Sequence, residues 1–277
     1  MLVSVIIPVR NRAYFLKEAL ESVLAQTYRP LEIIVVDDAS TDDTPYVVSR
    51  YPVIYHRMRR RGGPAAARNR GIRISRGELL AFLDSDDLWL PSKVALQVAY
   101  LRDHPEAVAV QPEEIWVKKG RRIRPRGKHR KPHGFFFHRA VKLCLISPSG
   151  VMIRRRVLEE IGLFDEEFPV CEDYELWLRL AARYPVHLLP FPLVVKRGGH
   201  PDQLSRLPGL DLWRLKALAK ILRDPVLTPE MRILALVEAR RKGEIFLRGA
   251  RKHGNLRGAL EAVKILRSLQ LFPPALP

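Results

Sequence analysis

Three short apolar runs in the first part of the chain are separated by amphipathic segments. The runs cover residues 3–9, 32–36 and 79–83, and each is almost continuously apolar. Strands that are covered on both faces have this pattern, whereas half-exposed strands alternate. Between the first two runs, residues 14–26 repeat their apolar positions at helical spacing. The alternation of strands and helices predicts an α/β fold with a mostly parallel sheet.

Periodicity along the rest of the chain predicts further elements. Helices are expected over residues 92–103, 157–162 and 172–183. Strands are expected over residues 107–117 and 186–196. Because two prolines interrupt the second, it is expected to be an edge strand or an extended segment. From residue 210 onward the pattern is helical.

Charge adds a second signal, and it is concentrated in two places. The net charge is +18, and nine lysines and arginines lie between Lys118 and Lys131 without an acid. Residues 57–61 hold four further arginines. Such clusters favour phosphates, anionic lipid or acidic polymers as partners, although a solvated basic loop explains them equally well.

Several classes of protein are disfavoured by what the sequence lacks. No apolar run reaches the roughly 20 residues of a membrane-spanning helix. The chain starts with a strand-like run, without the basic segment or cleavage site of a secretion signal, so we expect a cytoplasmic protein. Cys144 and Cys171 lack metal-ligand spacing, and we expect reduced thiols, although one disulfide is also compatible with the sequence.

Polar residues collect where the early strands end. Asp37 and Asp38 follow the second run, and Asp84 and Asp86 follow the third at positions i and i+2. Ligands of open parallel sheets bind in the crevice outside these strand ends. Paired carboxylates suit Mg²⁺ or Mn²⁺, which bind them together with substrate phosphates. The sequence therefore predicts a metal and phosphate site, whereas a single acidic strand end would be ordinary turn chemistry.

Six segments together resemble the family 2 glycosyltransferases, which have the GT-A fold. They occur in the order of that family: SVIIPVRNR at 4–12, VVDDASTD at 35–42, GPAAARNRG at 63–71, FLDSDD at 82–87, GLFDE at 162–166 and EDYELW at 172–177. The resemblance implies a GT-A-type, Rossmann-like, mostly parallel sheet flanked by helices. Residues 1–208 would form the catalytic domain and residues 209–277 a C-terminal helical extension.

The same resemblance divides the catalytic domain. Residues 1–117 would bind the nucleotide sugar, and residues 134–208 would supply the acceptor and catalytic half. Between them, residues 118–133 are expected as a long exposed basic loop. Asp38 would contact the base or ribose of the nucleotide, with Pro8 and Arg10 in the same pocket. Arg68 would lie near the diphosphate.

Further roles are implied for the acids. Asp86 would hold Mn²⁺ or Mg²⁺, while Asp84, with Ser85 beside it in the donor site, would orient the donor ribose or the metal shell. Asp173 would be the general base. His200 resembles a late histidine that approaches the metal or phosphates in some members of the family, and a structural role in its Gly-Gly-His-Pro turn is an equal alternative.

The implied reaction is metal-dependent, inverting transfer of a sugar from a nucleotide diphosphate, most often UDP, to a hydroxyl group. One alternative is a sugar-nucleotide nucleotidyltransferase. Enzymes of that class have a glycine-rich phosphate loop directly after the first strand, and this sequence has no glycine there. Another alternative is a basic nucleic-acid-binding protein, but no motif of that class is present, so we expect no nucleic-acid partner.

The acceptor is expected among glycans or lipid-linked sugars of cell-surface polysaccharide or glycolipid synthesis. Residues 135–137 are three phenylalanines directly after the basic segment. Basic residues beside exposed aromatic rings favour peripheral contact with the inner face of an anionic membrane. If the triplet is buried, the charges serve only solubility or heat tolerance.

Overall fold

The structure is a computed structural model that describes residues 1–200 and 203–271, and within them nine strands form one sheet. The strands are β1 (Val3–Val9), β2 (Leu31–Asp37), β3 (Ile54–Arg57), β4 (Leu79–Phe82), β5 (Leu88–Trp89), β6 (Ala109–Lys118), β7 (Arg121–Ile123), β8 (Met152–Arg154) and β9 (His187–Gly198). The helices are α1 (Ala13–Leu24), α2 (Thr44–Val48), α3 (Gly63–Ile74), α4 (Lys93–Asp103), α5 (Phe137–Ala140), α6 (Arg155–Ile161), α7 (Glu172–Ala181), α8 (Leu210–Ile221), α9 (Pro229–His253) and α10 (Leu256–Ser268).

The sheet has a parallel half and a mixed half. Its strand order is β3-β2-β1-β4-β8-β6-β9-β5, and β7 pairs with β6. Parallel pairing of β1 with β2 and β4, and of β2 with β3, confirms the parallel sheet predicted for the first part of the chain. Beyond β4, antiparallel β8 joins this half to β6, which is parallel to β9. The α/β fold class is confirmed, and antiparallel pairs complete the sheet.

The third strand in chain order was missed by the apolar pattern. β3 covers Ile54–Arg57, and three of its four residues are exposed, because it lies at the edge of the sheet. Such a strand lacks the continuous apolar run that marks a buried one.

The expectation of an edge strand over residues 186–196 is correct for part of the strand. β9 pairs with β6 on one side and, through Val194 and Val195, with β5 on the other. Its register to β6 jumps from Leu189 to Pro192, so Pro190 falls in a bulge where no ladder hydrogen bond is required. In the described part of the chain β5 pairs with Val194 and Val195 alone, so both prolines lie where β9 has a neighbouring strand on one side only.

The expected long basic loop is a hairpin over part of its length. β7 pairs antiparallel with the end of β6, and Lys119 and Gly120, both at positive φ, form the two-residue turn. A short 3₁₀ helix follows at Gly127–His129. We call residues 118–130 the basic hairpin. Lys131, next in the chain, is buried and pairs with Glu114 over 2.7 Å, so it does not belong to the exposed charge.

The C-terminal helices pack on the catalytic half. One hydrophobic cluster joins Leu218 of α8, Ala239 of α9 and Leu266 of α10 to Trp177 of α7. Thr228 caps the start of α9, where its side chain accepts from the N–H of Met231. In the described part of the chain, no helix has the length and apolar character needed to cross a membrane.

A close contact fixes α3 against the central strand. A Cβ atom at Gly71 would lie 2.4 Å from Cγ2 of Ile6, so only glycine allows this approach of helix and strand. Arg68 lies one turn earlier on the same helix and is buried over the ends of the parallel strands. The close packing therefore sets the position of a predicted site residue.

Candidate active site

Parallel pairing brings the carboxyl ends of three strands to one edge. The N–H of Asp38 donates to the carbonyl of Val9 at the end of β1 over 2.8 Å. On the other side of β1, the N–H of Leu83 donates to the carbonyl of Ile6 over 3.0 Å. The predicted site residues that follow β1, β2 and β4 therefore share one edge of the sheet.

The diacid after β2 holds the loops around this edge. Both carboxylate oxygens of Asp38 accept backbone hydrogen bonds, from Gly62 at 2.6 Å and from Gly63 at 3.0 Å. Asp37 is buried and accepts from the hydroxyl of Tyr55 at 2.6 Å. Asp38 thus fixes the start of α3 at the rim of the predicted nucleotide pocket, and its contact with the nucleotide stays a prediction.

Pro8 and Arg10 flank the end of β1, and both are half-buried. The Nε atom of Arg10 is buried and has no hydrogen-bond partner within residues 1–200 and 203–271. Leaving such a donor unsatisfied is unfavourable, so a ligand that accepts from it gains stability. Arg10 therefore has an unused donor at the end of β1, and its place in the nucleotide pocket stays a prediction.

The segment after β4 carries three carboxylates, on Asp84, Asp86 and Asp87, and a buried serine, Ser85. Asp84 pairs with Arg68 over 2.7 Å, and Asp86 pairs with Arg12 over 3.2 Å. Burial raises the pKa of Asp86, and the neighbouring carboxylate of Asp84 raises it further. Two carboxylates that oppose each other's ionisation favour a cation close to both.

Arg68 links the segment after β4 to the start of α7. Its guanidinium donates to Asp84 at 2.7 Å and to Glu172 at 2.6 Å, and its side chain is 6% exposed. The ring of Phe164 lies 5.3 Å from the guanidinium carbon. Two terminal nitrogens are thus occupied by carboxylates, and the predicted contact of Arg68 with the diphosphate stays a prediction.

The two acids at the start of α7 have different partners. Glu172 is held by Arg68, and burial raises its pKa to about 7, against the opposing effect of this arginine. Asp173 is in no ion pair with the described residues, and accepts from the thiol of Cys144 at 3.4 Å. Its other oxygen accepts from the N–H of Tyr174 at 2.7 Å. Asp173 is therefore the acid with capacity to accept a hydrogen bond from an acceptor hydroxyl.

The two cysteines lie beside this helix start. Cys144 and Cys171 are free and half-buried, as expected for reduced thiols. Cys171 directly precedes α7 and has φ of 62°, a conformation that non-glycine residues adopt at a cost. Burial raises the pKa of both thiols, so neither is a reactive thiolate at neutral pH.

His200 reaches the metal side of the crevice. Its ring packs on Phe15 with centroids 4.5 Å apart. Its Nε2 atom is buried and lacks a hydrogen-bond partner among the described residues, which exclude residues 201 and 202. The charge of His200 lowers the pKa of Asp86, against the larger effects of burial and Asp84.

A divalent cation fits these donors. In the described part of the chain, no three His, Cys, Asp or Glu side chains by themselves form a metal site. Mg²⁺ needs only one or two carboxylates, because substrate phosphates and waters complete its shell. Asp84 and Asp86 are two such carboxylates, and a role of His200 in holding the ion stays a prediction.

Sequence reasoning missed a lysine in the crevice. Lys196 on β9 donates to the hydroxyl of Ser147 over 3.0 Å. Burial lowers the pKa of Lys196, but the carboxylates of Glu114 and Asp87, with smaller contributions from further acids, outweigh burial and raise it. One of those further acids is Asp173. Lys196 thus compensates several negative charges. In the sequence, its position at the end of an apolar run is the one feature that indicates a buried lysine.

Asp87 was also missed as an anchor of the site. It is buried and accepts from Ser149 Oγ at 2.6 Å and from the N–H of Arg197 at 2.8 Å. The carbonyl of Ser149 in turn accepts from the indole of Trp89 at 2.7 Å. Asp87 therefore joins the end of β4 to β9, which supplies Lys196.

A mixed α/β sheet with acids at its parallel strand ends, faced by a helix that starts with an acid, is the arrangement of a GT-A glycosyltransferase. The family model described as Glycosyl transferase family 2 matches residues 4–162, more than half of the chain. The chain belongs to glycosyl transferase family 2 and is thus of the glycosyltransferase class of enzymes.

Relatives carry the same class name. An uncharacterized glycosyltransferase of Rickettsia felis is 32% identical over 217 residues, which are 74% of this chain and 35% of that protein. This chain thus spans about a third of the length of that relative. WfaP of Escherichia coli, a UDP-Glc:alpha-D-GlcNAc-diphosphoundecaprenol beta-1,3-glucosyltransferase, is 33% identical over 187 residues, which are 66% of this chain and 71% of WfaP.

Solved structures confirm the fold. TarS 1-349 of S. aureus in complex with UDP-GlcNAc aligns with a TM-score of 0.74 at 20% identity, over 99% of this chain and 82% of TarS. The mannosyltransferase PcManGT from Pyrobaculum calidifontis, in complex with GDP-Man and Mn²⁺, aligns with a TM-score of 0.65 at 24% identity. That alignment covers 98% of this chain and 76% of PcManGT.

Proposed function

We propose that this chain is a metal-dependent, inverting glycosyltransferase that moves a sugar from a UDP-linked donor to a hydroxyl group of a lipid-linked glycan. The proposal rests on one observation: Arg68 pairs with both Asp84 and Glu172, and so joins the strand-end acids after β4 to the start of α7, where Asp173 lies. WfaP, by its name, uses UDP-Glc and a diphosphoundecaprenol acceptor, and TarS was solved with UDP-GlcNAc.

The metal side of the crevice would serve the leaving group. A bound Mg²⁺ or Mn²⁺ supplies positive charge that stabilises the nucleoside diphosphate as it departs. Asp86 would hold the ion, with Asp84 and His200 close to it. Arg10 would donate its unused N–H to the nucleotide. The Mn²⁺ in the PcManGT complex supports a metal in this fold.

The base side would activate the acceptor. Asp173 would accept the proton of the acceptor hydroxyl as its oxygen attacks the anomeric carbon. The new C–O bond forms while the bond to the diphosphate breaks, so a single displacement inverts the anomeric centre. Glu172 is occupied by Arg68 and would orient the start of α7.

Product analysis separates this function from the nucleotidyltransferase alternative. Sugar transfer releases free UDP, whereas the alternative reaction releases pyrophosphate. Family membership favours sugar transfer over nucleotidyl transfer. It also disfavours the nucleic-acid-binding alternative, for which the sequence has no motif.

Asp86→Ala should abolish metal-dependent donor binding. We expect the Kd of UDP in Mn²⁺ to rise by about tenfold or more, because the ion loses its main protein ligand. Without metal, variant and native chain should bind UDP equally weakly. Calorimetric titration with and without Mn²⁺ measures both values.

The control for this experiment is Asp103→Ala, which removes an exposed acid at the end of α4. It should bind UDP as the native chain does. Circular dichroism melts should show that both variants are folded. An Asp86→Ala variant with native affinity in Mn²⁺ would contradict the proposed metal role.

We further propose that the enzyme works on the cytoplasmic side of the membrane, with the basic hairpin in peripheral contact with anionic lipid. Its arginines are exposed, and Phe135 beside it is 67% exposed. The expectation that all three phenylalanines are exposed is wrong, because Phe136 and Phe137 are buried in the core. Basic groups near an anionic surface contribute about 1 kcal/mol each.

Vesicle flotation tests this contact. The native chain should float with anionic vesicles at low salt, less so at high salt, and not with neutral vesicles. Neutralising four arginines of the basic hairpin should reduce flotation strongly; these are Arg121, Arg122, Arg124 and Arg126. A matched variant with four exposed basic residues of α9 and α10 neutralised should float like the native chain; these are Arg251, Lys252, Arg257 and Lys264. Absence of flotation with either vesicle would favour a soluble acceptor.

A further inference from the structure

A second cavity lies away from the crevice, between the edge strand β3 and α3. Its volume is about 230 Å³. Successive residues of a helix are about 100° apart, so Arg70 lies about 200° around α3 from Arg68, which faces the crevice. The side chains that give the cavity its charge are Arg59, Arg60, Arg70, Arg73, His56 and Glu166.

The cavity has an excess of positive charge. Among its lining residues Glu166 is the acidic one, and it already pairs with Arg73 over 3.2 Å. The same oxygen of Glu166 accepts from the amide of Asn69 at 2.8 Å. Four guanidinium groups therefore face one carboxylate that is already shared.

Two of these arginines have no partner. Within the described residues, the guanidinium groups of Arg59 and Arg60 take part in no hydrogen bond or ion pair. Their neighbour Arg57, by contrast, donates to the carbonyl of Ser40 over 2.7 Å. Adjacent guanidinium groups without counter-charge repel each other, so an anion bound among them is favoured.

His56 and Arg70 line the cavity and are hydrogen-bonded to each other. Nε of Arg70 donates to Nε2 of His56 over 3.0 Å, which leaves the terminal nitrogens of Arg70 available. Burial lowers the pKa of His56, and the charge of Arg70 lowers it further. A neutral His56 whose Nε2 is an acceptor carries its proton on Nδ1 and adds a donor.

We propose that this cavity is an anion-binding site for a phosphate-bearing ligand, and that a diphosphate group is its ligand chemistry. Arginine forks bind phosphate oxygens in pairs, which suits the unpaired Arg59 and Arg60. The cavity lies on the face of α3 that carries Arg70 and Arg73, opposite to the face from which Arg68 reaches the crevice, so its arginines are distinct from those of the donor pocket. The diphosphate belongs either to a free solute or to a lipid headgroup.

Calorimetric titration with inorganic pyrophosphate, in metal-free buffer without donor or acceptor, tests the site. The native chain should bind, and Arg59→Ala/Arg60→Ala/Arg70→Ala should bind at least about tenfold more weakly, because charged hydrogen bonds are lost. The three residues are exposed, so the variant should keep its fold and melting curve.

Two controls keep the result specific. Arg251→Ala/Lys252→Ala/Arg257→Ala makes the same change in charge on the C-terminal helices and should retain native affinity. Arg10→Ala alters the donor pocket and should also retain it. Absence of pyrophosphate binding by the native chain, equal affinity of the cavity variant, or equal loss in either control would overturn the proposal.

A second arm identifies the source of the phosphate. Vesicles that contain a polyprenyl diphosphate are compared with phosphatidylcholine vesicles, and every chain in this arm also has Arg121, Arg122, Arg124 and Arg126 neutralised, so that the basic hairpin does not hold it on the lipid. Loss of flotation in the cavity variant, but not in the charge-matched control, identifies a lipid headgroup as the ligand. Unchanged flotation together with lost pyrophosphate binding identifies a soluble diphosphate. Both results support the site.

Discussion

Asp173→Asn will lower turnover by about 10² to 10⁴-fold and leave donor affinity close to native. The amide preserves the size of the side chain and its hydrogen bond to the N–H of Tyr174, but it cannot take the acceptor proton. Initial rates of UDP release at saturating donor and acceptor measure the loss. Calorimetric titration with UDP and Mn²⁺ measures the donor affinity.

A matched substitution separates chemistry from local charge. Glu167→Gln removes an exposed acid close to α7 in the chain and should leave turnover unchanged. NMR of the product made by the native enzyme should show the inverted anomer. Near-native turnover of Asp173→Asn would assign the base to another acid, and a retained anomer would exclude the single displacement.

Arg68→Ala will destabilise the fold by about 3 to 5 kcal/mol, because removal of one partner from a buried ion pair leaves unpaired charge behind. Glu172 is 7% exposed and would lose its cation, and Asp84 would lose it as well. Urea unfolding followed by circular dichroism measures this change in the free energy of unfolding. Activity should be lost in parallel at temperatures where the variant is still folded.

The comparison requires an arginine in an exposed pair. Arg240→Ala breaks the pair with Glu244 on α9, whose arginine side chain is 65% exposed. Its effect on unfolding should stay below about 1 kcal/mol. If the Arg68→Ala variant and the native chain have the same free energy of unfolding, the ion pairs of Arg68 with Asp84 and Glu172 do not stabilise the fold.

The parallel half of the sheet could be predicted from sequence because its strands are buried on both faces. β1 is an almost continuous apolar run and matches the predicted range of 3–9. β3 and β7 have no such run, since edge position and hairpin pairing keep their side chains exposed. The prolines of β9 indicated correctly that this part of the strand has an open side, but the short pairing of Val194 and Val195 with β5 and the bulge at Pro190 were not predicted.

The site could be predicted as far as its strand ends. Asp38, Asp84 and Asp86 follow strands whose parallel pairing places them at one edge, so chain order was sufficient. The positions of Lys196 and Asp87 in the site depend on where β9 lies in the sheet. That placement follows from long-range strand pairing, which local sequence patterns do not predict. The pairing of Arg68 with two acids, 16 and 104 residues away in the chain, is likewise a tertiary result.

The contact of Gly71 with Ile6 restricts how this sequence can diverge. A methyl group at position 71 would overlap the side chain of Ile6, so the first tolerated change must be at position 6. Shortening Ile6 opens a cavity in the core before any residue larger than glycine fills it. The two positions are therefore expected to vary as a correlated pair, and the route between their two compatible states passes through a less stable intermediate sequence.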